Sequence, residues 1–146
     1  TGRATSLDGI TWTKYDDPAP ADPPYAESDP VLQTGFGDWR MDNIVGCARL
    51  FPGGWEMFYS EKGWTSGQTK SAYRIGYATS SDGIHWTKFN GFPVLSDEDD
   101  PASPFSYDNL RAMSVVVTDS AYTLYYDYLR SAHVAIGVAT GTVTWE

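Results

Sequence analysis

A chain of 146 residues is long enough for one domain with a sizeable core, and its net charge of −9 repels phosphate, which excludes nucleic acid and anionic membrane surfaces as partners. Its single cysteine, Cys47, excludes an internal disulfide, and no apolar run approaches the roughly 20 residues of a membrane span. Aromatics make up 15% of the chain, beside 14 Gly and 9 Pro, a mix that suits short strands joined by turns.

In chain order, Thr1 to Ser6 and Ile10 to Lys14 are predicted strands around an Asp8-Gly9 turn. Residues 16–41 form a Pro- and Asp-rich loop. Asn43 to Phe51 (NIVGCARLF) is an apolar strand, Pro52-Gly53-Gly54 a turn, and Trp55 to Ser60 (WEMFYS) an alternating strand. Gly63 to Ser71 is a polar loop. Tyr73 to Thr79 and Ile84 to Phe89 are a third and a fourth strand, joined at Ser80-Ser81-Asp82-Gly83. After a loop over 96–107, Met113 to Val117, Tyr122 to Tyr126 and Val134 to Thr140 repeat the first three strands, and Thr142 to Trp145 is a shortened fourth.

The chain repeats itself. Ala4-Thr5-Ser6-x-Asp8-Gly9-Ile10-x-Trp12-Thr13-Lys14 returns as Ala78-Thr79-Ser80-x-Asp82-Gly83-Ile84-x-Trp86-Thr87-Lys88, 74 residues on. Asp42-Asn43-Ile44 returns as Asp108-Asn109-Leu110, 66 residues on. Four-stranded antiparallel units repeated along a chain point to an all-β fold of β-propeller blades. The units are a half-blade over 1–15, a full blade over 42–95 and a second full blade over 108–146. Turn physics assigns the shared motif a structural role. Asp8 and Asp82 accept backbone N–H groups, Gly9 and Gly83 take positive φ, and Trp12 and Trp86 are expected in equivalent, mostly buried positions.

Ile75 to Lys88 followed by Pro93-Val94-Leu95, the first copy followed by Pro30-Val31-Leu32, and the aromatic strand Met57-Phe58-Tyr59 together resemble the five-bladed β-propeller glycosidases. That superfamily includes arabinanases, xylosidases, invertases, levansucrases and mannoside phosphorylases. The resemblance covers nearly the whole chain and is specific for the fold but weak for the substrate. A looser similarity links Ser80-x-Asp82-Gly83-x-x-Trp86 to the Asp-box of sialidases. The resemblance implies an incomplete five-bladed propeller whose sugar site is formed by acidic residues at the N-terminal ends of the innermost strands, here Asp42 and Asp108. Glycoside cleavage uses such a pair of carboxylates across the scissile bond. Asp-Asn before a strand is equally ordinary turn chemistry.

The family's proton donor is usually a glutamate on a further blade. Glu56, inside the second strand, reads as a cross-strand or surface group, and Glu61, which ends that strand, could reach a rim. Arg40 and Arg111 are candidates for lowering a carboxylate pKa or binding a sugar hydroxyl, with a surface ion pair as the alternative. Trp39 and Trp64 are either sugar-stacking platforms or blade packing. His85 and His133 lack metal-ligand spacing, and Ser96 to Asp100 lacks the calcium-loop pattern and reads as a solvated loop. No cofactor or metal is expected.

The expected partner is a carbohydrate, either cleaved by a glycoside hydrolase-like domain or held by a non-catalytic binding or scaffold propeller. Two and a half blades leave strand edges open. The chain is therefore expected to be a homo-oligomer or part of a longer propeller.

Overall fold

The computed structural model describes residues 1–18, 28–32, 43–63, 72–90, 93–96, 110–118, 121–130 and 133–142. Within them the chain is all-β and antiparallel throughout, and it contains no helix. The strands are β1 (Ala4–Thr5), β2 (Thr13–Lys14), β3 (Asn43–Phe51), β4 (Gly54–Gly63), β5 (Ala72–Ser80), β6 (Thr87–Lys88), β7 (Leu110–Thr118), β8 (Ala121–Arg130) and β9 (His133–Thr142). They form a hairpin β1-β2, a four-stranded sheet β3-β4-β5-β6 and a three-stranded sheet β7-β8-β9. This arrangement is consistent with partial propeller blades.

Two expectations need correction. The fourth strand of the second unit was expected from Thr142, but Thr142 still belongs to β9, opposite Ala121; the remainder of the expected strand lies outside the described residues. The spacing between the units is 67 residues, not 66. Strands β3 and β7 are each nine residues long and begin at Asn43 and Leu110, and β4 and β8 begin at Gly54 and Ala121. Each first strand carries one bulge, between Val45 and Cys47 in β3 and between Ala112 and Ser114 in β7. An extra residue shifts everything beyond it by one place, so the bulge, not the Asp-Asn pair, sets the equivalence.

The two 74-residue-spaced copies make the same backbone bonds. Tyr15 N–H donates to Arg3 O and Phe89 N–H to Tyr77 O, both at 2.8 Å. Val31 N–H donates to Thr1 O and Val94 N–H to Ile75 O, both at 2.9 Å. Each Pro-Val-Leu tail thus returns to the start of its own third strand. In the first copy this return delivers Leu32 to a cluster with Met57, Tyr59 and Ala78, against which Trp86 packs.

Residues directly opposed in a sheet share a face. One face of the four-stranded sheet carries Met57 and Tyr59; the other carries Glu56, Phe58, Ser60, Ile75 and Tyr77. This second face packs on Leu110, Ala112 and Leu124 of the three-stranded sheet, with Tyr122, Tyr126 and Tyr128 beside them. Both sheets also use the same local device. The Tyr59 ring lies across Gly76, its neighbour on β5, and the Tyr126 ring lies across Gly137, its neighbour on β9. A Cβ on either glycine would stand 2.4 or 2.3 Å from a ring carbon, so a flat ring fills the place of a side chain.

Candidate functional site

The hairpin motif folds as its residues dictate. In the first copy Ile10 and Thr11 donate their N–H groups to Asp8 Oδ1, each at 2.8 Å; in the second Ile84 and His85 do the same to Asp82 Oδ1. Ser6 and Ser80 Oγ each accept the N–H of the turn glycine at 2.8 Å. Gly9 and Gly83 sit at φ of 74° and 73°, a region that penalises any Cβ.

The tryptophans differ. Trp86 is partly buried, as expected, and its indole nitrogen is enclosed without a hydrogen-bond acceptor. Trp12 is 60% exposed and donates to Gly9 O at 3.2 Å, which corrects the expectation that both would be mostly buried. The reason is physical: β5 lies against β4, which supplies Met57 and Tyr59, whereas β1-β2 pairs with no further strand among the described residues.

The turn bonds stabilise the ionised carboxylates. Asp8 is held down to about 2 by the Thr11 and Ile10 backbone N–H groups and the Ser6 hydroxyl. Asp82 is held well below the usual carboxylate range, first by the His85 ring, 2.7 Å from Oδ2, then by the His85 and Ile84 N–H groups. Because these folded-state pKa values are depressed, the turns' contribution is complete above the ordinary carboxylate value of 3.8 and is lost as pH falls through the folded values. In an NMR titration of the side-chain carboxyls, both aspartates should remain ionised at pH 3.5. Ordinary titration near 3.8 would refute the turn assignment.

At the opposite end of the sheets, where β3 and β7 begin, the candidate site residues can be located in part. Asp42, Asp108, Arg40, Trp39 and Trp64 lie outside the described residues. Glu61 was expected to end the second strand, but β4 runs on to Gly63; Glu61 lies opposite Arg74 on β5, and its Oε2 accepts a 2.6 Å ion pair from Lys88. The Lys88 ammonium also lies 5.1 Å from the centre of the Tyr59 ring, so the stem that reaches Glu61 covers an aromatic face. Arg111 pairs with Asp127, its neighbour on β8, through Nε–Oδ1 at 3.0 Å and Nη2–Oδ2 at 2.6 Å. This two-pronged contact keeps the guanidinium charged. The structure does not bring Glu61 and Arg111 together. Glu61 is on the face of its sheet turned away from the second sheet, and Arg111 is on the face of the second sheet turned away from the first.

Sequence reasoning missed a buried carboxylate shared between the two sheets. Glu56 is a cross-strand residue, as expected, but it is fully buried, which corrects its alternative placement on the surface. Its carboxylate pairs with Arg49, its neighbour on β3, and accepts the phenol O–H groups of Tyr77 at 3.1 Å and Tyr122 at 3.0 Å. Tyr122 belongs to the second sheet, so one carboxylate joins both sheets. Burial, then Glu56 itself, pushes both phenol pKa values up. The available sequence signal was Arg49 and Glu56 at equal distances from the Pro52-Gly53 turn, with an aromatic on the third strand. Glu56→Gln should cost about 1–3 kcal/mol in urea unfolding, because a charged acceptor shared by two phenols is lost. In a Tyr122→Phe background the same substitution should cost less, and a fully additive pair would refute the inter-sheet bond.

Cys47 is half-buried, and burial pushes its thiol up to about 11, far from a reactive thiolate. Among the described residues no three His, Cys, Asp or Glu side chains group in a way that could hold a metal ion.

No protein-family model matches the chain, and no curated protein matches it. Among solved structures, a glycoside hydrolase matches with a TM-score of 0.61 at 20% identity, over 98% of this chain and 36% of its own. The fold is shared with part of a glycoside hydrolase. The chain spans little more than a third of the length of that protein. At this identity the likeness is one of backbone architecture, and it includes both sheets and the N-terminal hairpin.

Proposed function

We propose that the chain is a glycoside-hydrolase-like, carbohydrate-active domain built of propeller blades, engaging a glycan at the end of the sheets where β3 and β7 begin. The observation that carries this reading is the fold likeness to a glycoside hydrolase over 98% of the chain. Asp42 immediately precedes β3, and Asp108 lies shortly before β7. The first strands of the two sheets, β3 and β7, lie against each other, and Ala112 N–H of β7 also donates to Ser60 Oγ of β4 at 2.9 Å. Two carboxylates held at neighbouring strand starts would serve glycoside cleavage, one protonating the leaving oxygen and the other attacking or activating water. Arg40 and Trp39, just before Asp42 in the sequence, and Trp64 are the candidate sugar contacts. Arg111 would contact sugar while keeping its bond to Asp127, and Glu61 while keeping its bond to Lys88.

A second reading, a non-catalytic glycan-binding or scaffold domain, is favoured by the 67-residue register. Counted that way, the counterpart of Asp42 is Asn109, so the two acids do not hold equivalent places. A panel of soluble oligosaccharides separates the readings. New reducing ends or phosphorylated sugars, detected by chromatography, support the enzyme; calorimetric binding without product supports the binding domain. Neither binding nor product across the panel would overturn the carbohydrate assignment.

A further inference from the structure

The two sheets are built alike but are not equally covered. In the four-stranded sheet, the face bearing Arg49, Glu56, Phe58, Ile75 and Tyr77 is buried against the three-stranded sheet. Matching the bulges and the Tyr–Gly pairs maps these residues onto Val116, Thr123, Tyr125, Ile136 and Val138. That equivalent face of the second sheet is open. Ile136 is 65% exposed, Val134 62%, Val138 56%, Val116 49% and Tyr125 38%. Strand β9 thus places apolar residues outward at every second position, while Ala135, Gly137 and Ala139 face inward. A strand apolar on both faces is the pattern of one covered on both.

We propose that this outer face of the second sheet is a docking surface for a second copy of the chain. Its five large side chains offer on the order of 400–500 Å² of apolar surface, at the upper range for the largest patch on a monomer. Doubled across a two-fold axis, this gives roughly 1,000 Å² with its polar rim, the lower bound for a specific interface. The charged pair on this face, Arg111 and Asp127, is mutually neutralised beside Ile136, the register partner of Asp127. Two copies, each of net charge −9, therefore meet at a locally neutral surface. A two-fold contact needs a self-complementary patch, and a sheet face rich in Val, Ile and Thr meets that need by face-to-face packing. The inference stands independently of the glycan reading.

Sedimentation equilibrium from about 5 to 300 µM, in the range where an interface of this size associates, provides the test. Wild type should pass from a 16.1 kDa monomer to a dimer with rising concentration. Ile136→Lys should remove the dimer while near- and far-ultraviolet circular dichroism stay unchanged. The milder Ile136→Thr, which keeps β propensity, should weaken dimerisation at least threefold and serves if the lysine variant unfolds. Ile10→Lys, on the exposed hairpin, should leave the dimer intact. A wild type that stays monomeric at 300 µM overturns the proposal, as does a folded Ile136 variant that dimerises like wild type or an Ile10→Lys variant that does not dimerise.

Discussion

Gly46→Ala should lower the unfolding free energy by about 3 kcal/mol, the upper end for overpacking a well-filled interior. A Cβ on Gly46 would stand 2.1 Å from the carbonyl oxygen of Ala112 and 2.3 Å from its Cβ. The obstruction is chiefly the backbone of another sheet, so no rotamer change relieves it. Relief requires β3 and β7 to separate, which weakens the contact of Phe58 and Ile75 with Leu110 and Leu124. It also stretches the Ala112 N–H bond to Ser60 Oγ. Gly141→Ala is the matched control, because a Cβ there meets nothing within 4 Å. Replacing glycine in an open strand position should be neutral or stabilising by a few tenths of a kcal/mol. Urea unfolding of the two variants measures the difference. If both fall within about 0.5 kcal/mol of wild type, the inter-sheet contact is not as close as described.

On any glycan that the domain cleaves, Asp42→Asn should cut turnover by roughly 10²–10⁴-fold with the fold intact, the usual effect of deleting a general acid or base. Asparagine keeps the shape of the side chain and removes the ionisable group. Asp108→Asn distinguishes two arrangements. If the acids act as a pair across the scissile bond, its loss should match that of Asp42→Asn, and the double variant should be little worse than either single one. If the one-residue offset between the units takes Asp108 out of line, its substitution should change turnover less than threefold. Full turnover in Asp42→Asn would remove that residue from the chemistry altogether. Steady-state kinetics on each variant, with circular dichroism as the folding check, reads all three outcomes.

Much of the fold was legible in the sequence because its signals were local. The Ser-x-Asp-Gly turns were readable because each donor and acceptor lies within three residues of the next. Strand β3 has the expected bounds because Pro52 and Gly53 mark its end. Registers were less legible. A bulge leaves no compositional mark: Gly46 in β3 and Met113 in β7 share no side-chain chemistry, and the matched Asp-Asn pairs suggested an offset of 66. Burial was less legible still. Identical motifs gave a partly buried Trp86 and an exposed Trp12, since a residue's exposure depends on which strands lie beside it. Glu56 reads in sequence as an alternating polar position, and it is interior because the second sheet, with Tyr122, packs over its face. Of the candidate site, Glu61 and Arg111 were found as plausible charged groups, but their ion-pair partners Lys88 and Asp127 depend on cross-strand register and side-chain reach.

The self-contained turns also bear on the order in which the chain assembles. Each tip is closed by bonds spanning two or three residues, and every strand pairing within a sheet joins consecutive strands. Loops this short close quickly, with hairpins forming in about 1–10 µs. The bonds that fasten one sheet to the other span much longer stretches of chain, 52 residues from Ser60 to Ala112 and 66 from Glu56 to Tyr122. Their loop-closure entropy is met only once the sheets exist. The hairpins therefore form early, and docking of the two sheets along the seam at Gly46, Ser60 and Glu56 limits how fast the molecule folds.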